Sequence, residues 1–131
     1  MQYWLLKSEP DCYAWTDLVR DKGTFWDGVH NYQARNNLKA MKEGDLAFIY
    51  HSGEERQIMG IARIVREAYP DKEDPTWVWV DLAPEKALPA PVTLWQLKAH
   101  PALSKLSLLR QSRLSVCPIR PEEWEAILSI R

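Results

Sequence analysis

Apolar residues fall along this chain in short runs whose spacing switches between strand and helix periods. Tyr3 to Ser8 is an aromatic and aliphatic run, closed by Pro10 and Asp11 because proline supplies no ladder donor, and it predicts an opening strand. Thr16 stands where it caps a short helix through Asp17, Leu18, Val19 and Arg20, with Gly23 just past the end. From Asn31 onward Ala34, Leu38 and Met41 recur at helical spacing and Gly44 sits where a helix stops, which predicts an amphipathic helix. Leu46 to Tyr50 is an unbroken apolar run that predicts a buried strand, and Gln57 to Glu67 and Trp77 to Ala83 supply two more. Gly60 interrupts the second of these, as at a bulge or a close approach of a neighbour. Pro84, Pro89 and Pro91 read as a loop. Thr93 and Gln96 form a capping-box pattern for a helix carrying Leu94, Trp95 and Leu97. Leu114 to Pro118 reads as a late strand, and Pro121 with Glu122 and Glu123 opens a last helix with Trp124, Ile127 and Leu128 on one face.

Three neighbouring strands imply an antiparallel meander, and strands mixed with short helices but without regular alternation argue against a doubly wound sheet. The expected class is α+β: a curved antiparallel sheet or β-barrel with short helices at its rim. A length of 131 residues fits one domain, taken as 1–131, with no internal repeat. Hydrophobic residues at 46% and charged residues at 27% are ordinary for a globular chain, but seven tryptophans exceed what such a core needs, so some are available as recognition surfaces. The net charge of −1 argues against tight, sequence-independent duplex binding, which draws on many contacts to phosphate. The apolar patch Tyr3 to Leu6 is too brief for a signal-peptide core, and no stretch approaches a membrane span, so no membrane partner is expected. Cys12 and Cys117 have no metal-spaced neighbours, which fits a reducing cytoplasm.

The glycines are isolated, so no phosphate-binding loop is present and no nucleotide cofactor is expected. His30, His51 and His100 lie far apart, and no metal site is expected either. Cys12 or Cys117 can meet His51 in space as nucleophile and base, although Cys117, between Val116 and Pro118, reads more simply as a small core residue. The segment from Trp26 to Asn37 differs in character: an indole, the Asp27-Gly28 turn, amides and Arg35 gather at a helix entry. There Trp26 offers a stacking face, Asn31 or Asn36 can read a base edge, and free N–H groups favour an anion. The alternative is structural, with Trp26 in the core and Asn31 capping the helix. Tyr50-His51-Ser52 ends a strand, either at a cavity mouth or as an ordinary strand end. Arg113 and Ser115 alternate with Leu114 and Val116 and would share one strand face, whose plainer reading is a solvated face.

Lys7-Ser8-Glu9-Pro10, the Trp26 to Asn36 segment, Gly44-Asp45 leading to Tyr50-His51-Ser52, Glu67 to Asp71, and Arg113 to Val116 together resemble the ordered signature of the EVE domain family, over almost the whole chain. The resemblance implies a PUA-like fold, related to YTH domains, whose members take a modified nucleobase into an aromatic pocket. It places Ser8, Trp26, Asn31, Tyr32, Tyr50, His51, Ser52 and Trp77 at the nucleobase, with Trp26 as a cage wall. It places Lys7, His30, Arg35, Asn36, Arg113 and Ser115 at phosphate or ribose. His30 stands where the family more often has arginine, a permanently charged bidentate donor. Trp79, two residues beyond Trp77 on the same strand face, competes with it for a place in the core.

The function this implies is a non-catalytic module that recognises a modified cytosine or adenine in DNA or RNA, single-stranded or with the base flipped. The sequence names no protein partner. Two alternatives stay open: an enzyme acting on nucleotides or nucleic acid through His51, and a small-molecule sensor using the same pocket.

Overall fold

A computed structural model describes residues 1–130. Its six strands form one curved sheet in the order β2-β5-β4-β3-β1-β6. They are β1 (Tyr3–Ser8), β2 (Thr24–Trp26), β3 (Leu46–His51), β4 (Gln57–Pro70), β5 (Val78–Thr93) and β6 (Val116–Ile119). Five short helices surround it: α1 (Trp15–Asp21), α2 (Tyr32–Ala40), α3 (Leu94–Ala99), α4 (Ser107–Arg110) and α5 (Pro121–Leu128). The mixed α+β class follows the sequence pattern, and β3, β4 and β5 form the expected antiparallel meander. Two details differ. The sheet is open rather than closed into a barrel, because β2 and β6 are its ends and do not pair with each other. It is also not wholly antiparallel: β1 runs parallel to β3, from Tyr3 beside Leu46 to Ser8 beside His51, and places the chain's first strand inside the sheet, between β3 and the edge strand β6.

The core explains this arrangement. Leu5, Leu6, Phe48, Ile58, Ile64 and Leu82 from four adjacent strands are fully buried, and Ala34, Leu38 and Met41 of α2 pack on them by the predicted stripe. Asp45 is the buried polar anchor beside it: its carboxylate accepts from the backbone N–H of Gln2 and Lys42 and from the Trp4 indole N–H. Trp124 stacks on Phe48 at 3.9 Å and on Tyr3 at 4.5 Å, fixing α5 to β1 and β3. Ile127 is buried beside it, but Leu128, expected on the same face, is 38% exposed.

Several local expectations are corrected by longer-range structure. Helix α1 begins one residue before Thr16, so Thr16 lies within it. Asp17, not Thr16, satisfies the entry by accepting from the Ala14 N–H at 2.8 Å. The prolines Pro84, Pro89 and Pro91 lie within β5 rather than in a loop, and β2 pairs only with Val80–Leu82 of that strand. The prolines therefore occupy the part of β5 that β2 leaves uncovered, where a missing donor is tolerated and a further strand is deterred. The pairing of β4 with β5 shifts register four times, and such bulges curve a sheet. At one of these shifts Gly60 meets the Trp15 ring so closely that an added Cβ would lie 2.5 Å from it, so the glycine marks both a bulge and a close approach. Strand β6 begins at Val116, which leaves Arg113 and Ser115 in the preceding turn instead of on a strand face.

Candidate nucleic-acid interface

The C-terminal end of β1, the turn after it and strand β2 border an open cavity of about 640 Å³. Lys7, Ser8 and Glu9 form one side, Cys12 and Tyr13 the turn, Thr24 to Val29 the opposite side, and Ser115 the floor nearest β6. The turn is held from within. The Ser8 hydroxyl donates to the Tyr13 carbonyl at 2.6 Å, and the Cys12 and Tyr13 N–H groups both return to the Glu9 carbonyl. The Tyr13 and Trp26 rings then stand edge to face, 6.4 Å apart. Trp26 belongs to the core and lines the cavity at once, with only 8% of its surface accessible. Gly28, at a φ of 76°, lets the chain turn out of β2 beside it.

Charge in the cavity is mixed. Lys7 donates from Nζ to the Ser112 carbonyl at 2.8 Å, and burial lowers its pKa from the ordinary lysine value. Glu9 and Asp27 are exposed carboxylates on the same walls. One cation and two acids do not make a phosphate site. They suit a neutral ring with donors on its edge, since a carboxylate accepts from an exocyclic amino group such as that of cytosine.

The residues expected at the site divide into three groups. Lys7, Ser8, Trp26 and Ser115 meet at the cavity, and the exposed Arg113 stands in the turn that supplies Ser115. A second group lies outside it. Tyr32 stacks on Trp77 at 5.2 Å, His30 meets the edge of Trp77 at 5.2 Å, and the Arg35 guanidinium lies 4.9 Å from the Tyr32 ring centre. Asn36 is exposed beside Arg35. Asn31 joins the two groups as the N-cap of α2: its side-chain oxygen accepts from the Ala34 N–H at 2.9 Å, which is the capping role weighed above. Its side-chain oxygen thus already caps the helix, and its amide nitrogen remains a donor for a base edge.

Tyr50, His51 and Ser52 form the third group and do not line the cavity. Tyr50 and His51 are buried. His51 Nε2 accepts from the Trp15 N–H at 2.9 Å, so Nδ1 carries the proton and donates to Glu55 at 2.8 Å. Both ring nitrogens are therefore engaged, Nε2 in holding α1 against β3 and Nδ1 in holding the turn between β3 and β4. The Ser52 N–H donates to the Ser8 carbonyl, which extends the β1–β3 pairing to the cavity edge.

Neither Trp77 nor Trp79 enters the core. Trp77 is half-buried in the loop just before β5, and Trp79 leaves β5 on the face opposite Val78, Val80 and Leu82 and stacks on the exposed Phe25 at 4.9 Å. Tyr13, Glu9 and Asp27 are the cavity residues that the sequence pattern passed over. Tyr13 looked like part of a simple turn, and nothing local indicates that its ring meets one thirteen residues later.

These features define a family. The chain belongs to the EVE domain family, whose pattern it matches over residues 2–130. It is 37% identical to thymocyte nuclear protein 1 of Gallus gallus, over 98% of this chain and 68% of that protein. Among solved structures, human THYN1 in complex with 5-methylcytosine-containing DNA superposes with a TM-score of 0.93 at 34% identity, covering 98% of this chain and 96% of that one. A Rhodopseudomonas palustris protein solved by NMR gives the same TM-score at 45% identity, over 98% and 91% of the two chains.

Proposed function

We propose that this domain is a non-catalytic reader that takes one modified nucleobase, cytosine or adenine, into the cavity between Tyr13 and Trp26. The observation that carries this reading is the cavity itself. Its volume lies in the roughly 300–1,000 Å³ range of small-molecule sites, and its lining combines an aromatic wall with the polar groups of Lys7, Ser8, Glu9 and Asp27. The human relative determined with 5-methylcytosine DNA supports a modified base as the ligand class. The target strand is DNA or RNA, unpaired or with the base flipped, because a base stacked and paired within a duplex cannot enter a pocket.

Stacking on Trp26 requires the edge-to-face pair with Tyr13 to open, since only 8% of the indole is exposed. Glu9 and Asp27 accept from the exocyclic amino group that cytosine and adenine share and thymine lacks. A methyl group adds about 1 to 3 kcal/mol of discrimination if it fills an apolar recess. His51 is unsuited to act as a general base, because its acceptor nitrogen is engaged by Trp15. We place the domain in a reducing compartment such as the cytoplasm, where the free, exposed Cys12 stays a thiol.

Titration with single-stranded DNA and RNA carrying 5-methylcytosine, cytosine, N6-methyladenine or thymine at one position tests the reading. A modified amino base should bind several-fold more tightly than its unmodified form and than thymine, and Trp26→Phe should reduce that preference. Equal affinity for all of them, or equal competition by free nucleoside, would overturn the nucleic-acid reader in favour of a small-molecule site.

A further inference from the structure

We infer that the Tyr32–Trp77 pair is a second, separate stacking platform, which takes the base next to the captured one and so makes the domain a reader of an unpaired dinucleotide. This rests on the reading of the cavity given above. The two sites are joined by chain: Val29 lines the cavity, and His30, Asn31 and Tyr32 follow it directly onto the platform.

The platform is built without serving the core. Tyr32 is 63% exposed although it is aromatic, and its stacking partner Trp77 is half-buried in the loop before β5. Such rings usually move, yet these are fixed from both ends. The 71–77 loop is closed by the Asp71 N–H donating to the Trp77 carbonyl and the Trp77 N–H donating to the Asp74 carbonyl. Arg35 of α2 reaches across to donate from Nη1 to the Thr76 carbonyl at 3.2 Å, which clamps the helix bearing Tyr32 to the loop bearing Trp77. A rigid, exposed aromatic face requires no ordering of its own when a base stacks on it.

Charge points to the same ligand. The Arg35 cation lies beside both rings, and its Nε, though buried, has no hydrogen-bond partner among the described residues. His30 stands at the edge of Trp77. Asp71 is the nearby acid, and its oxygens already accept from the Glu73 N–H and the Trp79 indole. The other exposed stack, Phe25 on Trp79, is a poorer choice for a phosphate-bearing strand. Its neighbours Asp71 and Asp81 both sit against it, and Arg66 is drawn to Asp81 and to the face of Tyr69.

The test uses single-stranded DNA with one central 5-methylcytosine, and the same strand with an abasic site on its 5′ or its 3′ side. Against the intact strand, Tyr32→Ala should weaken binding by roughly fivefold or more, the loss expected for one stacked base, while Tyr32→Phe stays near wild type. On one of the two abasic strands the loss should vanish, because the base it stacks is already missing. Wild-type affinity for Tyr32→Ala on the intact strand, or an equal loss on all three strands, overturns the platform. The preference of the wild-type protein for 5-methylcytosine over cytosine reports separately on the cavity. Preference without a Tyr32 effect removes the platform alone, a Tyr32 effect without preference removes the modified-base reading alone, and no binding to any strand removes both.

Discussion

Trp26 and Trp77 are held by opposite means. Trp26 is locked by strand pairing opposite Val80 and by burial in the core, and reaches the cavity with a small part of its surface. Trp77 is held outside the core by a hydrogen-bonded loop and an arginine clamp, with Tyr32 stacked on it toward solvent. Under the proposed function, recognition at the cavity would be inseparable from stability, whereas recognition at the platform would not. A cavity wall that is also core is positioned with precision and cannot be changed without loosening the fold.

The sharpest break in this comparison comes from paired truncations. Trp26→Ala should destabilise the protein by about 3 to 5 kcal/mol, the cost of emptying a buried aromatic site, whereas Tyr32→Ala should stay within about 0.5 kcal/mol of wild type. Urea unfolding of both variants measures the contrast, and equal losses would place Tyr32 in the core's service. Gly60→Ala is the next largest effect. Its methyl group must displace the Trp15 ring, and overpacking of this kind costs about 1 to 3 kcal/mol. Because Trp15 anchors the helix that follows Tyr13, the variant should also weaken base capture while leaving a Tyr32-dependent loss intact.

Alkaline titration gives a gentler test of which groups belong to the interior. Burial pushes the Cys117 thiol up to about 11, and burial together with Asp81 pushes the Tyr69 hydroxyl up to about 12. Both groups hold their protons more tightly folded than unfolded. Their contribution to stability is therefore complete below the ordinary thiol value near 9 and falls as pH rises toward 11 and 12. Exposed Cys12 should react readily with a disulfide reagent at pH 8, and buried Cys117 only after unfolding.

Much of the fold was readable because its signals are local. Ala34, Leu38 and Met41 specify the buried face of α2, the Thr93–Gln96 capping box opens α3, and Pro121 opens α5, as expected. The failures share a cause: each element is decided by a distant partner. Three residues of β2 show no strand period and exist because β5 pairs with them. The prolines of β5 resemble a loop until β4 is seen on its other side. The parallel placement of β1 beside β3 spans the whole of α1, β2 and α2, and no hairpin signal announces it.

The site divides in the same way. Lys7, Ser8, Trp26 and Ser115 converge on the cavity, and His30, Tyr32, Arg35 and Trp77 converge on a place of their own. Motif order along the chain cannot distinguish two adjacent sites from one. Tyr50 and His51 carry functional side chains, but burial and the bond from Trp15 assign them to the frame. Trp79 looked interchangeable with Trp77, and the structure gives it a different neighbour, Phe25.

The most direct test of the central claim is to follow the seven indole N–H resonances by NMR while adding single-stranded DNA with one 5-methylcytosine, then the same strand with cytosine. Base capture predicts that the Trp26 signal shifts most and does so preferentially for the modified strand. Trp77 should shift with either strand, and Trp4 and Trp124, which are buried and do not line the cavity, should stay in place. A Trp26 signal that does not move while the exposed Trp95 does would contradict the account and locate nucleic-acid contact on α3 instead.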